Sequence, residues 1–384
     1  MVISTAGVAR LTALPETVLQ LGTGRFLRGF VDRFIHQANE AGQEVGRVVA
    51  VQSTDGNRAD ALGSHPTGYP VLVRGFEEGE IVERVDEVAS LSRALVASRE
   101  WNEVLALAKS PSLKWIVSNA TESGYVLDSA DLLSSAPPKT LPGKLAQVLW
   151  TRFSAQGSAL TLLPCELIEG NAAKLLGLVR QQAEAWKLPP EFLIWLSEQC
   201  VWLNNLVDCM ITSPPVEHPL TKANPLLIHA EPYTLWAIQK PKSGEVKLFQ
   251  HPAIKLVDEL GPYYFRKVRI LNGLHSAMVA KFMPAGFITV QDVLKDLTAV
   301  RWVRGLLWEE IVPTIAYRME GVAEFADQTF DRLRNPFLQH KLSDISLNHV
   351  DKIRVRLQPT HDEYVKLFGK TPPRLAEVLA TKVS

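Results

Sequence analysis

Residues 17–42 read TVLQLGTGRFLRGFVDRFIHQANEAG, and the local character of the chain changes twice within them. Val18 to Leu21 is a short apolar run of the β type, and Gly22-Thr23-Gly24 interrupts it. Phe26, Phe30, Phe34 and Ile35 then recur at the spacing of one buried helix face, and Gly42 supplies a stop. A second β-branched run, RVVAVQST at 47–54, leads into the polar, glycine-bearing DGNRADALGSHPTG at 55–68. Strand, helix and strand in so short a span make a βαβ unit, which requires parallel strands and a right-handed crossover.

The turn Gly22-Thr23-Gly24 sits at the first strand–helix junction. Glycine there permits a tight turn with positive φ and lets backbone N–H groups approach a pyrophosphate closely. The following helix N-terminus adds partial positive charge at the same spot. The pattern therefore points to dinucleotide binding, although Leu27 stands where the standard fingerprint has its third glycine. The second strand ends Val51-Gln52-Ser53-Thr54-Asp55. Either Asp55 or Thr54 is placed to turn toward an adenosine ribose, which favours NAD over NADP; Asp55 is equally a turn residue before Gly56.

Alternation of strand and helix continues. YPVLVRG and EIVERVDEVA read as an antiparallel excursion, WNEVLALAKS as a helix, LKWIVSNATESG as a buried strand, PGKLAQVLWTRFSAQG as a helix and ALTLLPCEL as a strand. NAAKLLGLVRQQAEAW and PEFLIWLSEQ are helical, and CVWLNNLVDCMIT is a further strand region. This is the order of an α/β, doubly wound Rossmann-type domain, assigned to 1–255. Beyond about residue 256 the β-type runs nearly vanish, so 256–384 is expected to be a mostly α-helical domain for substrate and catalysis. No internal repeat or low-complexity segment occurs.

Composition narrows the function classes. Lys plus Arg and Asp plus Glu both number 41, giving a formal net charge of zero and no electrostatic reason to expect nucleic acid or an anionic membrane. No apolar stretch approaches the roughly 20 residues that span a bilayer, and MVISTAGVARLTALPET is not a secretory signal. Three cysteines, Cys165, Cys200 and Cys209, without a C-x-x-C pair, read as free thiols of a reducing compartment. A cytoplasmic protein is expected. His218, His229 and His251 with Cys209 lack any ligand spacing, so no metal is expected.

The densest polar constellation is RKVRILNGLH at 266–275. At ~100° per residue on an α-helix, His275 lies about 80° and Asn272 about 140° around from Lys267. An amine, an amide and an imidazole on one cavity-facing arc supply a proton acceptor and hydrogen-bond donors, which carbonyl–alcohol interconversion requires. Lysine serves as a base near neutrality only where burial or neighbouring charge lowers its pKa. By itself the set is also what a solvated basic helix with an incidental histidine presents.

Together LQLGTGRFLRGFVDRF, VVAVQST, IVSNATESGY, LPCELIEGN, NNLVDCMIT, AEPYTLWAI, RKVRILNGLHSAM, RNPFLQHKLSDISLN and KIRVRLQPT resemble the mannitol dehydrogenase family of polyol-specific long-chain dehydrogenases. Within it they resemble the tagaturonate reductase (altronate oxidoreductase) branch. The resemblance implies a metal-independent, NAD-dependent enzyme in which Lys267 is the general acid/base and Asn272 and His275 hold the reacting oxygen. It implies NAD binding through Gly22, Thr23, Gly24, Arg25 and Phe26, with Asn119 and Thr121 on the nicotinamide side. Asn204 and Asp208, in the NNLVD segment, would face the substrate; Asp208 is equally a capping carboxylate. Glu122, after a strand end, would line the cavity or stand near a helix N-cap.

Two departures from the polyol members point to an acid substrate: Leu167 occupies the place of an oxyanion-site asparagine, and Asp344 that of an arginine. A uronate carboxylate needs cationic or donor partners, for which His340, Lys341 and Lys352 are candidates. His340 and Lys341 are equally residues of a solvated helix face. The final stretch, EYVKLFGKTPPRLAEVLATKVS, is shorter than expected of the branch and implies a compact subgroup. The expected activity is interconversion of a keto-sugar acid and its alcohol. A mannitol- or arabinitol-type polyol dehydrogenase and a non-catalytic dinucleotide-binding sensor are the alternatives.

Overall fold

The computed structural model describes residues 10–381, except 55, 66, 121–123, 242–245, 247 and 339. The chain forms two compact units, one of residues 1–73 and 83–260, the other of 74–82 and 261–384.

The first unit is built on a six-stranded sheet of β1 (Glu16–Leu21), β2 (Arg47–Gln52), β5 (Leu91–Val96), β6 (Trp115–Ser118), β7 (Thr161–Pro164) and β8 (Val201–Trp202). Its order is β5-β2-β1-β6-β7-β8, and every pairing is parallel. This is the doubly wound arrangement, and the order reverses between β1 and β6, where such sheets open a ligand crevice. The apolar runs of β1 and β2 are continuous because both sheet faces are covered. Alternate side chains divide between them. Leu19, Leu21, Val49, Val51 and Ile116 pack with Trp101, Leu149, Val179 and Phe192 on one face. Val18, Val48 and Val117 pack with Phe30, Phe34 and Trp236 on the other.

The expected first helix is two helices, Arg25–Gly29 and Val31–Glu40, separated at Phe30 by non-helical backbone (φ −118, ψ −81). The phenylalanine ladder survives the break, with Phe26–Phe30 and Phe30–Phe34 ring centroids 5.0 and 4.5 Å apart. Phe30 is fully buried, so its truncation to alanine is worth roughly 3–5 kcal/mol.

A four-stranded sheet follows the order β10-β11-β3-β4, from β3 (Tyr69–Glu77), β4 (Glu80–Val88), β10 (Ile211–Thr212) and β11 (Ile228–Ala230). A third sheet, β13-β12-β9, holds β9 (Asn205–Asp208), β12 (Leu235–Gln239) and β13 (Ile254–Val257). CVWLNNLVDCMIT, expected as one strand region, thus supplies β8, β9 and β10 to three separate sheets.

The second unit is helical from Gly261 onward, and its described residues outside 74–82 form only one isolated bridge, Thr289 with Lys341. The hairpin piece 74–82 belongs to it. Asn335 Nδ2 donates to the Arg74 carbonyl at 3.0 Å, and the Arg74 guanidinium lies 3.8 Å from the Phe337 ring centroid. Part of the RNPF motif therefore fastens a distant segment. The C-terminal helix Pro373–Ala380 is fixed by buried Glu310, which accepts the Arg374 and Leu375 amides at 3.0 and 2.8 Å. A carboxylate there answers the exposed N–H groups and the positive end of that helix.

Candidate functional site

In the first unit the glycine turn stands at the topological switch point. Gly22 has φ +131, a conformation that a side chain strains, and its amide donates to the Val51 carbonyl at 2.9 Å. A Cβ on Gly22 would lie 3.4 Å from Leu27 Cδ1 and 3.6 Å from the Asn119 carbonyl oxygen, so the ends of β1 and β6 meet across it. Gly24, by contrast, has ordinary φ (−63) and open space where a Cβ would be. It caps the short helix Arg25–Gly29, on which Arg25 is exposed and Phe26 half-buried. Thr23 is buried.

Beneath this turn lies a polar network that the sequence did not announce. Gln20 Nε2 donates to the Gly22 carbonyl at 3.1 Å and to Asp32 Oδ2 at 3.4 Å. Arg28 Nε donates to the Thr23 carbonyl at 3.2 Å, and its Nη1 to the Leu226 carbonyl at 2.9 Å. Tyr69 Oη donates to Asp32 Oδ2 at 3.0 Å. Two carbonyls of the turn are therefore held from below, which fixes the turn's peptide planes. Burial pushes the Asp32 carboxyl up to about 7, against the hydrogen bonds from Tyr69 and Gln20 and the Arg28 charge. Oδ1 of Asp32 has no hydrogen-bond partner.

At the end of β2, Gln52 Nε2 donates to the Thr54 and Gly56 carbonyls at 2.9 and 2.7 Å, and its Oε1 accepts the Ala59 amide. Thr54 is exposed on this tied loop; Asp55 lies outside the described residues, as do Thr121 and Glu122. Asn119 is half-buried and its Nδ2 donates to the Cys165 carbonyl at 2.7 Å, bridging the ends of β6 and β7. Next to it Glu166, buried, accepts the Ala120 amide at 2.9 Å and the Tyr125 hydroxyl at 3.0 Å. Burial raises the Glu166 carboxyl despite these bonds. Glu166 went unremarked inside LPCELIEGN because its partners lie 41 and 46 residues away.

Asp208 is buried at the end of β9, opposite Leu235. Asn204 Oδ1 accepts the Ala173 amide at 3.0 Å, and its Nδ2 donates one N–H to Gln239 Oε1 at 3.3 Å. Leu167 is 70% exposed.

In the second unit Lys267, Asn272 and His275 lie on one rod, Gly261–Phe282, but it is not a uniform α-helix. Lys267–Asn272 is a π-helical segment between α-helices Gly261–Arg266 and Gly273–Phe282. Lys267, Asn272 and His275 therefore do not keep the α-helical spacing of ~100° per residue that the sequence predicts. An i→i+5 turn brings Lys267 and Asn272, five apart, closer to one face than an α-helix does. Such inserted turns occur often at functional sites. Lys267 and Asn272 are half-buried and His275 is buried. Arg266 and Arg269 stack on aromatic rings: Arg266 lies 4.6 Å from the Tyr263 centroid and Arg269 4.9 Å from that of Phe265.

His340 and Lys341 are not on a helix face. They sit in extended chain beside 288–290, where the His340 carbonyl accepts the Val290 amide at 2.9 Å. That pairing turns the His340 ring edge-on to His275, centroids 4.8 Å apart, while Lys341 is exposed. Burial lowers the proton affinity of His340, with Asp344 opposing. Lys352, half-buried, donates through Nζ to the Ile345 carbonyl at 2.8 Å. His340 is thus brought to His275; Lys341 is not.

Among the described residues no group of His, Cys, Asp and Glu side chains is arranged to hold a metal, and no helix is long and apolar enough to cross a membrane. Two family models match: the mannitol dehydrogenase Rossmann domain over residues 16–249 and the mannitol dehydrogenase C-terminal domain over 259–383. Altronate oxidoreductase of Bacillus subtilis is 36% identical over 377 residues, covering 95% of this chain and 78% of that protein. The protein of the same name from Halalkalibacterium halodurans is 37% identical over 384 residues, covering 97% and 75%. Among solved structures, substrate-free D-sorbitol dehydrogenase has a TM-score of 0.84 at 20% identity, covering 96% of this chain and 80% of that one. Pseudomonas fluorescens mannitol 2-dehydrogenase, in a ternary complex with NAD and D-mannitol, has a TM-score of 0.76 at 20% identity, covering 96% and 79%. At that identity the structural likeness speaks for the fold alone.

Proposed function

The chain belongs to the mannitol dehydrogenase family, and from that premise we propose that it is an NAD-dependent oxidoreductase interconverting a keto-sugar acid and its alcohol, of the tagaturonate/altronate kind. The observation that carries the acid half of this reading is identity of 36–37% with altronate oxidoreductases over nearly the whole chain. Leu167 and Asp344, where polyol enzymes of the family have asparagine and arginine, agree with it.

A dinucleotide fits the first unit. The turn at Gly22, with its positive φ and with open space beside Gly24, leaves room for a pyrophosphate at a helix N-terminus. Gly22, Thr23, Gly24, Arg25 and Phe26 would hold it, with Asn119 toward the nicotinamide and Thr54 toward the ribose. Bound NADH supplies the hydride for the ketone carbon. Lys267 gives its proton to the carbonyl oxygen as the alkoxide develops and takes it back in the oxidising direction. Asn272 and His275 hold that oxygen by hydrogen bonds that strengthen as charge builds. His340, packed on His275, keeps the imidazole oriented. Asp208 takes a substrate hydroxyl, Lys352 faces the acid end, and the enzyme works in the cytoplasm.

The test is turnover with NADH on a panel of keto-hexuronates and ketohexoses, and with NAD on the matching alcohols. Turnover of hexuronates well above that of neutral sugars is expected; turnover confined to polyols such as mannitol or arabinitol would overturn the acid reading.

A further inference from the structure

On the helix His349–Arg356, residues 349, 352 and 356 fall at i, i+3 and i+7, one face of an α-helix. That face carries His349, Lys352 and Arg356. It is turned inward: Arg356 Nη1 donates to Ser276 Oγ at 3.1 Å, and Ser276 is the fully buried neighbour of His275. The helix's own acid, Asp351, lies on another face, 74% exposed and paired with Arg354 at 3.2 Å.

These three inward groups, two cations and an imidazole, have few partners. Lys352 uses one of its three donors, on the Ile345 carbonyl. Arg356 uses one of its five, on Ser276. His349 is nine-tenths buried, and neither ring nitrogen has a hydrogen-bond partner. Among the described residues, no carboxylate pairs with Lys352 or Arg356. Burial, and then the charges of Lys352 and Arg356, lower the proton affinity of His349; Lys352 is lowered by burial and by Arg356. Proteins retain inward charge where something compensates it. Here three cationic or donor groups converge without an acid, next to the residue following His275.

We infer that Arg356 and His349, together with Lys352, form the subsite that receives the substrate's carboxylate. This rests on the sugar-acid reading and adds to it two residues that determine the preference for acids. The Arg356 guanidinium is the group suited to a two-pronged bond with a carboxylate, and Lys352 adds a point charge. His349 donates one N–H to the same anion.

The experiment compares tagaturonate with tagatose, which carries hydroxymethyl in place of the carboxylate, in the full-length wild-type chain and in Arg356→Gln, Arg356→Lys and His349→Gln. Arg356→Gln is expected to lower kcat/KM for tagaturonate about 10- to 100-fold, chiefly through KM, while tagatose loses less than about threefold. Arg356→Lys keeps the charge without the fork and falls between; it decides the matter if the glutamine variant does not fold. His349→Gln shows a smaller loss confined to the acid. Equal losses on both sugars, or an acid preference that survives Arg356→Gln and Arg356→Lys, would overturn this subsite and leave the sugar-acid reading standing. A wild-type chain that reduces tagatose but not tagaturonate would overturn both.

Discussion

Lys267 opens the π-helical segment and is half-buried there, with Asn272 at the segment's other end. If it moves the proton, Lys267→Ala should lower kcat by about 10²- to 10⁴-fold while the dissociation constant for NADH, read by fluorescence titration, stays nearly constant. A collapse of NADH binding instead would make the lysine structural. Full retention of rate would point to another proton donor, and absence of any turnover in the wild type would favour a sensor. Residue identity and spacing made this set legible, because three chemically distinct side chains recur within ten positions. They did not reveal that His340 packs on His275, since that contact crosses 65 positions and depends on the pairing of 288–290 with 340–342. Nor did they show that Asn204 bonds the Ala173 amide and Gln239.

At the scale of elements, the two glycines of the turn carry different burdens. Gly22 sits at φ +131, so Gly22→Ala should cost roughly 1–3 kcal/mol of stability and weaken NADH binding. Gly24 has ordinary backbone and no atom near its absent Cβ, so Gly24→Ala should lower Tm only slightly, by the glycine-to-alanine difference at a helix cap, and less than Gly22→Ala does. Its larger effect should be on cofactor binding. Thermal melts beside NADH titrations separate the two; equal melting temperatures would refute the contrast. The π segment makes a second prediction. Deleting Val268 should return the rod to α-helical bonding and rotate Lys267 by about 100° relative to His275. Activity should be lost while far-UV circular dichroism stays helical; an active deletion variant would show that the inserted turn has no role in the chemistry.

For the molecule as a whole, a formal net charge of zero leaves individual buried groups to set the response to pH. Asp32 is the clearest of them. Its carboxyl is pushed up to about 7 by burial, so the folded state holds a proton that the unfolded chain releases near pH 4. Its contribution is fully present below the unfolded value, declines as pH rises toward 7, and is lost above it. The expected loss between pH 4 and 8 is on the order of a few kcal/mol. Asp32→Asn keeps the acceptor for Tyr69 and Gln20 and removes the titration, so its Tm should exceed that of the wild type at pH 8 and change less with pH. Parallel pH–Tm curves for the two proteins would rule Asp32 out as the titrating group.

The sequence by itself determined the alternation of strand and helix, the glycine turn at the first junction, the helical C-terminal third and the family. Each of these is written in local periodicity, in backbone permissiveness at Gly22, or in motifs that stay contiguous along the chain. Only the tertiary structure decided what lies beneath and around those motifs. The Gln20–Arg28–Asp32–Tyr69 network, the fastening of 74–82 by Asn335 and the inward face of His349, Lys352 and Arg356 all join residues that are distant in the chain or unremarkable in their local pattern. Burial turns such residues from ordinary polar side chains into groups that need a partner, and burial is a property of the packed molecule rather than of any one segment.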